Sequence, residues 1–394
     1  MRIDVHIHYT PPSLRARLAE LAEREPYWGL LLAPETSIQG WADAARMLAD
    51  MDQAGIGRVI VQGEYFQRHE SCVARNDESI ALMRAHPGRV SAFACLQPRA
   101  GDRALDELAR CVDAGFAGVG ELNPYAQGFA LDDPAFLRLC EACIRYGLPL
   151  LLHANEPVGR YYPGKATTPL ADYHRLATRY PELRLVLAHW GGGLLFYETI
   201  PSVRRDLRNV WYDTAASPLV YATDAIFRAA LACVDHRKIL YGSDYPLRIV
   251  PREQREPDFR PFLRQIDALG LDDEVRADIL GRNAERLLAG LGPADDRETD
   301  EAHRAPAGDG TGHTSQRWRP PIGAATPVAQ IAAAYPAARA VLERYDIPWQ
   351  TSAAPFWEPI GQAAAARGHG PAALRRLLAE IDEAAGAETP SSTT

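Results

Sequence analysis

The sequence predicts an α/β fold: a (β/α)8 TIM barrel followed by a small, all-helical C-terminal domain. Three observations predict it. Short apolar runs alternate with longer amphipathic stretches from residue 1 to about 290, each run is continuously apolar, and eight of them can be counted. Continuous hydrophobicity belongs to parallel strands covered by helices on both faces. Eight β-then-α units point to a closed barrel rather than an open sheet.

The strand runs are residues 3–8, 58–62, 90–96, 118–122, 149–153, 184–189, 210–213 and 238–242. Helical spacing fills 41–54, 104–114, 134–146, 170–180 and 224–234. Residues 272–288 read as a closing helix, with Asp272 or Asp273 as its N-cap and Gly290 as its stop. Residues 1–290 are therefore the expected barrel. Residues 291–325 have the Pro, Gly, Asp, Arg, Thr and Ser composition of a polar linker. Apolar periodicity resumes over 326–386, a small helical domain, and 387–394 are expected to be a disordered tail.

Bulk composition narrows the function. Of 394 residues, 47% are hydrophobic and 24% charged, which suits a globular chain with a sizeable core. A formal charge of −8 argues against nucleic acid or an anionic membrane as partner. Charge and histidine appear within the first six residues with no apolar segment after them, and no stretch approaches the ~18 apolar residues of a membrane span. Six cysteines in so long a chain do not make a disulfide framework. The expected setting is the cytoplasm, the expected partner a small-molecule substrate, and a homo-oligomer is compatible with the sequence.

The polar residues that end the apolar runs carry the chemistry. His6 and His8 are two apart at the end of the first run and so share a strand face. Glu121 lies in the fourth run, His153 ends the fifth, His189 the sixth, and Asp244 follows the eighth. A barrel gathers its catalytic groups at the carboxyl ends of its strands. Burying that many ionisable groups is costly unless they bind something. Imidazoles and carboxylates suit Zn²⁺, Mn²⁺, Fe²⁺ or Co²⁺, and the residues do not choose among them. An ion with an open position activates water, and a neighbouring histidine accepts the proton.

The segments Ile3-Asp4-Val5-His6-Ile7-His8, Leu151-Leu152-His153, Leu187-Ala188-His189-Trp190-Gly191-Gly192-Gly193, Tyr241-Gly242-Ser243-Asp244-Tyr245-Pro246 and Gly281-Arg282-Asn283-Ala284-Glu285-Arg286-Leu287-Leu288 resemble the amidohydrolase superfamily, in particular its aminocarboxymuconate-semialdehyde decarboxylase-like branch. The resemblance covers roughly residues 1–290. It implies one divalent ion, zinc before manganese, iron or cobalt, held by His6, His8, His153 and Asp244, with His189 as general base and Asp244 also moving a proton. Glu121 stands where many of these hydrolases have a carbamylated lysine. It either helps hold a second ion, shifting His153 and His189 to that ion, or acts on substrate or on a histidine.

Around the mouth, Arg160 and Lys165 are candidates for holding a substrate carboxylate, Tyr161 or Tyr162 for an aromatic wall, and Arg248 for a second anion contact. Trp190, beside His189, is counted with the substrate-binding residues, and the segment 27–34 with Trp28 is a candidate lid. Cys140 and Cys143 have redox spacing but lie mid-helix, where core packing explains them. Gly191–Gly193 lacks the ending of a phosphate loop, and close backbone approach accounts for it better. Residues 334–347 resemble the helical domain of iron–sulfur cluster repair proteins without its cysteines, since none follows Cys233. An interaction or oligomerisation module is the expectation there.

The leading functional expectation is metal-assisted hydrolysis of a C–N or C–O bond in a small polar or carboxylated substrate. Its close rival is non-oxidative decarboxylation with the same ligands. A catalytically silent barrel serving as scaffold is the third reading.

Overall fold

The computed structural model describes residues 1–31, 38–159, 162, 165–293, 322–324, 326, 328, 331–332, 335, 337–349 and 359–387. They fall in two compact units, Met1–His303 and Arg304–Thr394. The first is a barrel of eight parallel strands in sequential order. The strands are β1 (Arg2–Ile7), β2 (Ile56–Val61), β3 (Val90–Ala94), β4 (Gly118–Leu122), β5 (Leu150–Leu152), β6 (Leu185–Leu187), β7 (Val210–Asp213) and β8 (Ile239–Leu240). The ring closes where Ile7 bridges Tyr245 in parallel, with Val5 N–H donating to the Tyr241 carbonyl and Asp244 N–H to the His6 carbonyl.

Strand parity divides the core in two. Ile60, Phe93, Leu151, Val186, Trp211 and Leu240 pack in one buried cluster inside the barrel. Their neighbours Val59, Val61, Leu150, Leu152, Leu185, Leu187, Val210 and Tyr212 pack outward in the larger cluster shared with the helices. Side chains two apart share a face, so His153 and Asp213 continue the interior rows of Leu151 and Trp211.

The helices follow from apolar spacing and capping. Asp43 caps Ala44–Ala54 by accepting from Arg46 N–H, and Gly55 ends that helix in the left-handed region. Helix Pro134–Tyr146 buries Cys140 and Cys143 among its apolar residues, and burial pushes both thiols up, Cys143 to about 12. The closing segment begins at N-cap Asp272 and runs through Asp273–Ala277, a π turn at Asp278–Arg282, and Asn283–Leu288. Among the described residues no helix is long and apolar enough to cross a membrane.

The second unit contains helices Ala338–Arg344, Ile360–Ala366 and Pro371–Ala387. Its own core gathers Ile331, Val341, Leu342, Ile347, Ile360, Leu377 and Ile381. The linker expected from residue 291 lies largely outside the described residues, as does the tail expected at its end.

Candidate metal centre

The carboxyl ends of the strands deliver six metal-ligating side chains to one buried place. They form two groups, His6 with His8 and Asp244, and Glu121 with His153 and His189. In the first, His8 Nε2 lies 3.3 Å and His6 Nε2 3.9 Å from Asp244 Oδ1. Glu121 Oε2 adds a fourth donor, 3.3 Å from His6 Nε2 and 4.0 Å from His8 Nε2. Donors about 2.1 Å from one ion at tetrahedral or octahedral angles stand about 3.0–3.5 Å apart, with wider spacing across the ion, so these four fit a single divalent cation. His6 Nε2 is also buried with no hydrogen-bond partner among the described residues. A buried polar atom without a partner asks for one.

The second group is knit together differently. His153 Nδ1 lies 2.8 Å from Glu121 Oε1 and 3.1 Å from His189 Nε2. His189 Nε2 is 3.5 Å from the same Glu121 oxygen. Tyr65 donates to Glu121 Oε2 at 2.8 Å and stands 3.2 Å from His153 Nδ1, while His153 Nε2 faces Asn155 Oδ1 at 2.7 Å. Glu121 thus turns one oxygen toward each group. His153, expected beside His6, His8 and Asp244, is grouped instead with Glu121 and His189.

Local backbone explains how two of these side chains reach the site. On β6 the interior parity runs Val186–Ala188, so a regular strand would send residue 189 outward. His189 instead has φ 56°, opening a left-handed run that continues through Trp190 and the three glycines. A side chain at Gly192 would run into the Asn155 carbonyl, which is the close approach expected of that glycine run. Asp244 also has φ 63°. A Cβ at Gly242 would lie 2.8 Å from His6 Cβ, so this glycine makes room for the first ligand. Non-glycine residues in this region of φ cluster where function over-determines them.

Charge in the cluster is shared between carboxylates and imidazoles. Burial alone would lower His6, but Glu121 and Asp213 outweigh it and hold its pKa well above the ordinary value. His8 is raised against burial by Glu64 and Asp244. His189 is raised to about 9, with Glu121 overcoming burial. Burial would raise Glu121 and Asp244, yet the surrounding histidines bring both down, Glu121 well below its usual range.

The site opens into a cavity of about 400 Å³. His8, His153, His189 and Asp244 face it, together with Tyr9, Leu14, Trp28, Leu31, Ile38, Trp41, Tyr65, Tyr162 and Leu219. Trp28, from the segment after β1, is buried and donates its indole N–H to Glu64 Oε2 at 3.0 Å. The described part of the expected lid, with Trp28 and Leu31, is therefore cavity wall; its residues beyond Leu31 lie outside the described residues.

Several expected substrate contacts stand elsewhere. Trp190 is a correction: fully buried, it gives its indole N–H to Ser217 and packs edge-on against Phe227, away from the cavity. The left-handed turn that brings His189 inward sends its neighbour into the core. Lys165 is buried and pairs with Glu156 at 2.9 Å, and the half-buried Arg248 donates its backbone N–H to the Ile38 carbonyl. Neither belongs to the described cavity wall. Arg160 and Tyr161 lie outside the described residues. Sequence reasoning missed Asp213, Tyr65, Glu64 and Asn155. Asp213 carried the same signal as the ligands, a polar residue ending an apolar run; the others sit in loops after β2 and β5 and carried none.

Comparison with known proteins agrees with this architecture. A 5-carboxyvanillate decarboxylase from Sphingomonas paucimobilis superposes with TM-score 0.58 at 17% identity, covering 73% of this chain and 98% of its own. A 5-carboxyvanillate decarboxylase from Novosphingobium aromaticivorans, complexed with manganese and 4-hydroxy-3-methoxy-5-nitrobenzoic acid, gives 0.56 at 18% identity, covering 73% and 96%. In sequence, 2-amino-3-carboxymuconate-6-semialdehyde decarboxylase of Dictyostelium discoideum is 22% identical over 253 residues, 55% of this chain and 66% of that protein. The amidohydrolase family profile matches residues 3–290, the whole barrel with its ligand-bearing strand ends, and the chain belongs to that family.

Proposed function

We propose that this chain is a divalent-metal-dependent, non-oxidative decarboxylase acting on a ring-shaped or unsaturated carboxylic acid. The observation that carries the reading is the union of the ligand cluster with an apolar, aromatic cavity lined by Trp28, Trp41, Tyr9, Leu14 and Leu219. Such a wall suits a planar carbon skeleton better than the small polar substrate expected from sequence. The decarboxylase names of the similar proteins support it, and the manganese in one of them widens the choice beyond zinc.

His6, His8, Asp244 and Glu121 would hold the ion. Bound there, it would supply positive charge that orients the substrate's oxygen atoms and stabilises the electron pair left on the carbon. The apolar wall orients the ring and excludes water. In the reaction the C–CO₂⁻ bond breaks, its electron pair stays on the carbon, and a proton replaces the lost CO₂. His189, on the cavity with Nε2 turned inward, is placed to supply that proton. Its ring is fixed through Nδ1, 2.9 Å from the Ala215 carbonyl.

A second reading, hydrolysis through two ions, is favoured by one observation: Glu121 presents an oxygen to each ligand group. Elemental analysis and product analysis on a panel of aromatic carboxylates separate the two. About one ion per chain, lost or held much more weakly in Glu121→Gln, with CO₂ released and no ¹⁸O from labelled water in the organic product, is the expected result. Two ions per wild-type chain and ¹⁸O in the organic product would overturn decarboxylation.

A further inference from the structure

The end of β7 holds two of the site histidines at once. Asp213 is fully buried and follows Trp211 on the interior face. Its Oδ2 lies 2.8 Å from His6 Nδ1. Its Oδ1 accepts the backbone N–H of His189 and of Ala215, each at 3.0 Å. Two residues on, the Ala215 carbonyl lies 2.9 Å from His189 Nδ1. The segment is itself fastened to β8, because Thr214 Oγ1 donates to the Gly242 carbonyl at 2.9 Å and accepts Gly242 N–H at 3.1 Å.

A carboxylate and a carbonyl only accept, so the nitrogen facing each of them must carry a proton. Nδ1 is therefore the protonated nitrogen of both His6 and His189, and Nε2 of each is the one turned to the site. We infer that Asp213 is a positioning residue of the metal centre. It sets the tautomer and ring angle of His6 through one oxygen and anchors the left-handed turn of His189 through the other. The inference rests on the reading of His6 as a ligand, but what it states concerns the two rings.

An amide cannot do the same work. Asparagine at 213 would have one accepting oxygen and one donating NH₂, where the site demands acceptors on both sides. Either the NH₂ meets His6 Nδ1–H, or it meets the N–H groups of His189 and Ala215. Carboxylates that orient metal-bound histidines typically affect metal affinity about 10- to 100-fold.

The test uses the full chain labelled with ¹⁵N-histidine, Zn²⁺ as the probe, and His6→Gln for assignment. Wild type is expected to show a slowly exchanging, low-field Nδ1–H resonance of His6 with and without Zn²⁺. Asp213→Asn is expected to bind Zn²⁺ about 10- to 100-fold more weakly in competition with a chromophoric chelator, and to lose that resonance where its NH₂ takes the place of Oδ2. Loss of folding alone would not remove the resonance from wild type, so the wild-type spectrum tests the inference even where the variant is unstable. Absence of the resonance from wild type, or retention of full Zn²⁺ affinity in a folded Asp213→Asn, would overturn it. Failure of wild type to bind Zn²⁺ would instead sink the proposed function, with the metal-free spectrum still deciding the role of Asp213.

Discussion

On one side of Glu121, His6 Nε2 and His8 Nε2 stand 3.3 and 4.0 Å from its Oε2, and His6 Nε2 is left without a hydrogen-bond partner among the described residues. On the other side, His153 Nδ1 lies 2.8 Å from Oε1 and 3.1 Å from His189, with Tyr65 adding a further contact. The same residue types thus make two different things. The β1/β8 half is a set of donors converging on one point, an arrangement that suits an ion. The β5/β6 half satisfies itself by hydrogen bonds and is suited to hold and move a proton. Ligand identity alone did not separate them; spacing does.

The sharpest break of this comparison removes one histidine from each half. His8→Ala is expected to purify with almost no metal and to lose activity by about 10³-fold or more, since a catalytic ion supplies several kcal/mol of charge stabilisation. His153→Ala is expected to keep its metal while activity falls by about 10²-fold, the scale of a proton-transfer contribution. Elemental analysis beside a CO₂-release assay reads both. If His153→Ala loses its metal as completely as His8→Ala, the two halves are one centre and the distinction fails.

A smaller effect concerns the protons that stand in for the ion. Burial would lower His6 and His8, but Glu121 and Asp213 hold His6 well above its ordinary value and Glu64 and Asp244 raise His8, so both rings keep a proton to higher pH than a free imidazole. Metal binds only the deprotonated ligand. Binding must then release protons, and affinity strengthens as pH rises through the raised range of these two rings. Calorimetry of Zn²⁺ binding in buffers of different ionisation heat checks it. A binding heat independent of buffer would mean that the β1/β8 half is already deprotonated and that its carboxylates are balanced elsewhere.

Where the sequence was legible, hydrophobicity carried the message. The eight strands were readable because a strand buried on both faces has no polar alternation to blur it. The long helix His69–Ala85 was not read, and its burial explains why: it turns Ser71, Cys72, Arg75, Asn76 and Ser79 inward. Arg75 reaches the Tyr9 carbonyl, and Asn76 binds Glu107 and both backbone groups of Cys95, so polar partners replace the apolar stripe that periodicity looks for. Within the site, the ligands were legible as polar interruptions at strand ends. Their grouping was not, because it depends on which oxygen of Glu121 faces which ring. Trp190 was misread for a related reason: a neighbour in sequence is not a neighbour in space once the backbone enters the left-handed region.

The least disruptive way to sharpen the comparison is on the cavity wall. Trp28 is tied to the β1/β8 half through Glu64, whose Oε1 stands 3.8 Å from His8 Nδ1. Trp28→Phe keeps an aromatic face but removes the indole N–H, so Glu64 loses its donor and the ring loses its fixed angle. That leaves the ion's donors untouched while loosening the surface that orients substrate. Metal content is expected to stay at the wild-type level and kcat to change little, with KM rising about fivefold, equivalent to about 1 kcal/mol of lost orientation. A fall in metal affinity instead would show that Glu64 reaches the ion through His8, and that the aromatic wall and the donor set of this half are a single unit.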